Sequence, residues 1–286
     1  MAATFKIVDV DELKKISGTS FLIYSGSGQR KTFSTGSMAS GSVTLHVSLD
    51  GGSNSSTDAM RILNIKDASH KVTTPLSLKE LNDVIIGLHT NAGYKKKIDT
   101  IVIDNLVTIT DWIKTYVVGL PRYKKDQLSI DNATNEDDIN MSSSKSMAMY
   151  NDIQILTKGL INQILELKAD YNVILLAGEV DSVDSAGSPE VRPLINGPKS
   201  ILPVTSLFDE CYRTDFTEGD FDSEDHVATY FRISTYTNMM TGMKYFAKTR
   251  NIKNIDYLKE NKMPARFDKI FEEIGYVLKK DRKETK

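Results

Sequence analysis

The sequence predicts an α/β fold: a mostly parallel central sheet with helices on both faces. Short runs rich in β-branched and aromatic residues alternate with longer stretches of helical period, the order that a parallel sheet with crossover helices requires. Two of the runs, 101–103 and 173–176, are continuously apolar, as expected of strands covered on both faces. With 286 residues, 40% hydrophobic and 26% charged, the chain has enough apolar material for a large core.

The strands are expected at 21–24, 43–49, 100–104, 172–177, 228–235 and 244–247, with 100–104 and 172–177 at the centre. Ser77 followed three residues later by Glu80 is a capping-box pattern, and Leu81, Val84, Ile85 and Leu88 continue it as a helix to about Thr90. Met149, Ile153, Leu156, Leu160, Ile164 and Leu167 mark a long amphipathic helix leading into the strand at 172, and Phe267, Ile270, Phe271, Ile274 and Val277 mark a C-terminal one. The polar or Gly/Pro-rich stretches at 124–146, 181–198 and 215–225 lack either period and are expected to be mobile surface insertions on a single domain whose core spans about 20–278. No fixed-period repeat is present.

Several classes of function are disfavoured. The formal charge of -2 gives no overall field for nucleic acid, so any DNA contact must be local. Cys211 is the only cysteine, which excludes an internal disulfide and a thiolate metal cage and points to a reducing, cytoplasmic setting. No apolar run approaches bilayer length, so no membrane association is expected. His46, His70, His89 and His226 are far apart in sequence, without acids at metal-ligand spacing, and are expected to be structural or surface residues.

The residues that carry chemistry follow the first strand: Ser25, Gly26, Ser27, Gly28, Gln29, Arg30, Lys31 and Thr32. A phosphate-binding P-loop is a strand, then G-x-x-x-x-G-K-[ST], then a helix, in which loop amides and the lysine hold phosphates and the hydroxyl meets magnesium. Lys31 and Thr32 stand where that motif needs them, but Ser25 takes the first glycine position and Arg30 the second. The arginine puts a long side chain where glycine lets backbone approach a phosphate, or else supplies a further positive group. The segment after Thr32, with Gly36 and Gly41 and many hydroxyls, is a poor helix former. The same stretch also reads as a Gly/Ser loop joining two elements.

Thr100-Ile-Val-Ile-Asp104 has the form of a Walker B strand, whose terminal carboxylate orients magnesium through water; Asp104 also reads as a helix N-cap. Taken with the strand ending Leu49-Asp50-Gly51-Gly52, with 173–179 (Val-Ile-Leu-Leu-Ala-Gly-Glu), with 196–213 and with Lys244-Tyr-Phe-Ala-Lys248-Thr-Arg250-Asn251, the order of segments resembles that of phage-encoded RecA-like/AAA P-loop ATPases of the single-strand annealing and recombination type. The resemblance covers roughly residues 21–274.

That resemblance implies a RecA-like P-loop NTPase core and a site for ATP and Mg2+ made by residues 26–32, with Thr32 and Asp104 on the metal side. It implies that Lys248 and Arg250 form the K-x-R element by which one subunit reaches the terminal phosphate of its neighbour's ATP, and hence a homo-oligomer. It also implies single-stranded DNA as partner and the cytoplasm of a phage-infected host as location. Lys248 and Arg250 also read as two solvated charges at a strand end. Such enzymes place a glutamate base two residues beyond an aspartate ending the second strand; here Gly52 stands there, and Glu179 is the substitute or sensor, or simply a loop residue. The two readings that follow are an accessory ATPase in recombination or replication and an inactive RecA-like fold serving as a DNA-binding or protein-interaction module. Lys95-Lys96-Lys97 and the basic residues of 279–283 are short charge runs, and Tyr230, Phe231, Tyr236, Tyr245 and Phe246 read as strand and core residues.

Overall fold

The computed structural model describes residues 18–63, 65, 67–123, 143–183, 186–195, 204–216 and 229–281. Its main sheet has eight strands in the order β12-β9-β8-β1-β5-β4-β2-β3. These are β1 (Ser20–Tyr24), β2 (Val43–Ser48), β3 (Ser69–Thr73), β4 (Thr100–Asp104), β5 (Asn172–Ala177), β8 (Glu210–Phe216), β9 (Thr229–Arg232) and β12 (Met263–Pro264). The six strands from β8 to β3 run parallel, and β9 and β12 close one edge antiparallel. The fold class is therefore the one that the alternation of runs predicts.

The helices are α1 (Lys31–Ser34), α2 (Asn54–Ile62), α3 (Leu78–Thr90), α4 (Ala92–Lys97), α5 (Leu106–Val118), α6 (Ser143–Glu166), α7 (Ile255–Glu260) and α8 (Phe267–Glu273). They divide between the faces of the sheet as the strand sequences dictate. Leu22 and Tyr24 of β1, Ile101 and Ile103 of β4, and Val173, Leu175 and Ala177 of β5 meet α3, α5 and α6 on one face. The alternate residues, Phe21, Ile23, Val102, Ile174 and Leu176, meet Phe267, Ile270 and Phe271 of α8 on the other, where the Phe21 and Phe267 rings pack edge to face at 5.5 Å. Each of the buried Val, Leu, Ile and Phe side chains among these contributes roughly 1.5–3 kcal/mol of transfer free energy.

The cap at Ser77 forms as its sequence predicts, with Ser77 Oγ accepting from the Glu80 amide at 3.2 Å. Glu80 reaches one residue further back than a capping box requires and accepts from the Leu76 amide at 2.8 Å. The C-terminal helix is shorter than its periodicity suggests: it ends at Glu273, and Gly275, at φ 69°, terminates it in the left-handed conformation.

A second, four-stranded sheet, β10-β11-β7-β6, lies outside the expectations from sequence. Its members are β6 (Glu179–Val183), β7 (Pro189–Pro193), β10 (Tyr236–Thr237) and β11 (Lys244–Tyr245). The segment 181–198, expected to be a mobile loop, therefore contributes to an antiparallel β6–β7 pair with Glu179 opposite Pro193. The reason is local burial: Val191 and Ile195 enter the core, and Tyr24 Oη donates to the Phe246 carbonyl, fastening the small sheet to β1. The expected strand at 244–247 is shorter and belongs to this sheet; that at 228–235 is confined to Thr229–Arg232 among the described residues. Of the other two expected insertions, 143–146 opens α6 and Asp215 and Phe216 end β8; 124–142 and 217–225 lie outside the described residues. Among the described residues no helix is long and apolar enough to cross a membrane.

Candidate functional site

The carboxyl ends of β1, β2, β4 and β5 converge, with Ser48 opposite Asp104 and Tyr24 opposite Ala177. Crevices at the carboxyl ends of parallel strands are where open α/β sheets place their ligands. The loop that leaves β1 here runs from Ser25 to Arg30 and enters the single turn α1 at Lys31. Its brevity follows from the glycines and hydroxyls that come next, and its turn is drawn from two left-handed residues, Gly28 at φ 76° and Arg30 at φ 55°. Glycine takes such a conformation freely, whereas arginine pays roughly 1–2 kcal/mol for it. The Arg30 guanidinium lies 5.4 Å from the Phe33 ring centroid.

Lys31 turns back over the loop: Nζ donates to the carbonyls of Ser25 and Gly26, each at 2.8 Å. Burial lowers its ammonium pKa, and the carboxylates of Asp104, Glu179 and Asp50 act in the opposite direction. Gln29 folds inward, its amide nitrogen beside Gly26, while its Oε1 is buried with no hydrogen-bond partner. Gly28 has nothing within 4 Å of where a Cβ would stand.

Thr32 Oγ1 donates to Asp104 Oδ2 at 2.6 Å, joining the first turn after the loop to the end of β4 across 72 residues. Asp104 is 3% exposed. It is not the cap of α5; Asn105 is, its Oδ1 accepting from the Thr108 amide at 3.1 Å. The Asn105 amide also donates to Asp50 Oδ2 at 2.6 Å, and Asp50 Oδ1 accepts from the Gly52 amide, so Asp50 is fixed in the loop after β2.

Glu179 begins β6 just past the end of β5. Its Oε1 lies 3.1 Å from the Cβ position of Gly26, and its Oε2 accepts from Arg213 Nε at 3.2 Å. Arg213, level with Tyr24 in the sheet, also meets Asp215 at 3.4 Å and Tyr236 Oη at 3.2 Å, and stacks 4.2 Å from the Tyr245 ring centroid. Tyr236 stacks in turn on Tyr245, and Arg232 lies over both Tyr236 and Tyr230. Of the aromatics expected in the core, Phe231 is fully buried and Tyr245 and Phe246 pack half-buried against the core, while Tyr230 and Tyr236 join Tyr245 in this cation-aromatic stack.

Lys248 and Arg250 lie elsewhere. Lys248 pairs with Cys211 near the amino end of β8, and both side chains donate to the Ser206 carbonyl, Lys248 at 3.3 Å and Arg250 at 3.2 Å. The structure thus brings residues 26–32, Asp104 and Glu179 together and keeps Lys248 and Arg250 away from them within one chain. The basic runs are partly structural: Lys95 pairs with Asp170 at 2.6 Å, and Lys279 Nζ donates at 2.5 Å to the Lys95 carbonyl.

Sequence reasoning missed four members of the site: Asp50, Asn105, Arg213 and His46. The histidines at 46 and 70, remote in sequence, meet on adjacent parallel strands, with His46 Nδ1 3.1 Å from His70 Nε2. His46 is fully buried and its Nε2 lies 3.5 Å from Asp104 Oδ2. Burial, and then the neighbouring His46, lower His70 to about 4. Among the described residues no cluster of three or more His, Cys, Asp or Glu side chains has a metal-holding arrangement.

No family model matches the sequence, and no curated protein matches it. Among solved structures, the assembled ATPase EscN of the enteropathogenic E. coli type III secretion system is similar over 85% of this chain and 51% of its own, with 12% identity and a TM-score of 0.42. The chain therefore spans about half the length of that ATPase. A likeness this slight carries no weight for the chemistry of the site.

Proposed function

We propose that this chain is a RecA-like P-loop protein that binds ATP with Mg2+ at the loop 26–32. The observation that carries the reading is the 2.6 Å bond between Thr32 Oγ1 and Asp104 Oδ2: the hydroxyl after the lysine and the carboxylate ending a buried parallel strand are hard oxygen donors placed together. The residues fit the group. Thr32 and Asp104 would hold the cation, Asp104 through water, while Lys31 and the loop amides would hold the phosphates. Bound there, Mg2+ neutralises phosphate charge. That matters here because Asp50, Asp104 and Glu179 surround Lys31 and oppose an uncompensated triphosphate.

The finer reading is a homo-oligomeric accessory ATPase acting on single-stranded DNA in recombination or replication. It is supported by the order of sequence segments and by the Lys248-x-Arg250 pair on a surface away from the chain's own loop. A second reading, nucleotide binding without turnover or a fold kept as an interaction module, is favoured by Gly52 in the position of the base and by the Arg213 guanidinium that engages Glu179.

Calorimetry on the purified chain with MgATP, MgADP and ATP in EDTA tests the proposal. The expected result is saturable binding that Lys31→Ala weakens about tenfold or more, the value of a charge-assisted hydrogen bond, with Asp104→Asn losing the Mg2+ dependence. Absence of heat for both nucleotides in the parent chain overturns it. Phosphate release that vanishes in Asp104→Asn separates the ATPase from the inactive fold, and salt-dependent retention of a single-stranded oligonucleotide tests the DNA arm.

A further inference from the structure

We infer that His46 is a positioning residue for Asp104, held in the donor tautomer by His70 and Ser56; the inference rests on the reading of Asp104 as the metal-side carboxylate. The three strands involved are neighbours, with β2 between β3 and β4, and His46 lies on the same face as Asp104 and Ser48 because Ser48 is opposite Asp104 and His46 opposite Val102. That face is covered by the turn after α1 and by α2, which approach so closely that a Cβ on Gly36 would stand 2.0 Å from the Ser56 carbonyl oxygen. His46 is thus sealed from water, and whatever its nitrogens meet is fixed by the fold.

The hydrogen-bond network assigns its protons. Ser56 Oγ donates to the Ser53 carbonyl at 2.7 Å, which leaves its oxygen as an acceptor. His70 Nε2, 3.1 Å from both Ser56 Oγ and His46 Nδ1, is then the donor to that pair. His46 Nδ1 therefore accepts, and the ring proton sits on Nε2, a buried nitrogen that makes no hydrogen bond in the structure and faces Asp104 Oδ2 at 3.5 Å. The opposite tautomer would aim a lone pair at the carboxylate. The same Oδ2 takes the Thr32 hydroxyl. His46 therefore backs the carboxylate from the buried side while Thr32 meets it from the loop side, so that two groups share the task of holding Asp104 Oδ2. Partners of this kind behind a liganding carboxylate change metal affinity 10–100-fold when removed.

The test combines a spectrum and a titration. Long-range 1H–15N spectra of the 15N-labelled full chain, without nucleotide, should show His46 with a protonated Nε2 and an acceptor Nδ1. At fixed ATP, His46→Leu should raise the Mg2+ concentration for half-maximal binding about tenfold or more while leaving ATP affinity in EDTA unchanged. His46→Gln, whose amide nitrogen takes the place of Nε2, should restore most of it. A protonated Nδ1 on His46 overturns the inference, as does a His46→Leu titration that superimposes on the parent or an equal loss of Mg2+-free binding in both variants, which marks a packing role. A parent chain that binds no nucleotide under any condition removes the proposed function, and the spectrum then still decides whether His46 donates to Asp104.

Discussion

Acidification should destabilise this protein through His70. Its imidazole is lowered from 6.5 to about 4 by burial and by His46 beside it. The sign follows from which state takes the proton: between pH 6.5 and 4 the unfolded chain is protonated at this residue and the folded chain is not. This residue's contribution is therefore fully present above 6.5, falls as pH drops through the window, and is gone below about 4. By pH 4.5 proton linkage gives a loss of about 2.5 kcal/mol, at 1.36 kcal/mol for each pH unit of difference. His70 keeps part of its surface in water, and the screening reduces the expected figure to about 2 kcal/mol. The assay is urea unfolding at pH 7.5, 6.5, 5.5 and 4.5 for the parent and for His70→Gln, because subtracting the two curves cancels every other titrating group. The difference should move by about 2 kcal/mol in favour of the variant between the two extremes. Curves that stay parallel within about 0.5 kcal/mol would refute a buried neutral imidazole at this position.

Three further outcomes are expected. Arg30→Gly relieves a left-handed arginine and loses only a cation-aromatic contact with Phe33, so denaturant melts should show a net gain of a few tenths to about 1 kcal/mol. Gly36→Ala drives a methyl to 2.0 Å from the Ser56 carbonyl and 2.7 Å from the Ala59 Cβ, and should cost about 2–3 kcal/mol in the same melts, with altered His70 resonances. Arg213→Met leaves Glu179 and Asp215 without their shared guanidinium; both carboxylates are about a quarter exposed, so the loss should be about 2–3 kcal/mol, less than for a fully buried pair.

The central strands were legible in the sequence because burial on both faces leaves a signature independent of what packs there: 101–103 and 173–176 are apolar without interruption. Ser77 and its helix were legible for a similarly local reason, since a cap is written within four residues. The pairing of Thr32 with Asp104 could be anticipated from motif shape although 72 residues separate them. His46 and His70 could not be paired, because their meeting depends on the register of two parallel strands that no short-range pattern encodes. The β6–β7 pair was hidden for the opposite reason. Its glycines, prolines and acids imitate a solvated loop, and the few apolar residues that anchor it, Val180, Val191 and Ile195, show no period long enough to read.

Lys248 and Arg250 are tethered to Ser206, ahead of β8, whereas the loop 26–32 leaves β1 at the other end of the parallel register. The length of the adjacent strands β1 and β8 therefore separates these two cations from their own chain's lysine. Each copy of the chain presents the two cations at one end of its strands and the loop at the other, two halves facing opposite ways like a plug and its socket. If the two halves serve one reaction, copies must be stacked end to socket, and turnover becomes a property of the stack and of concentration.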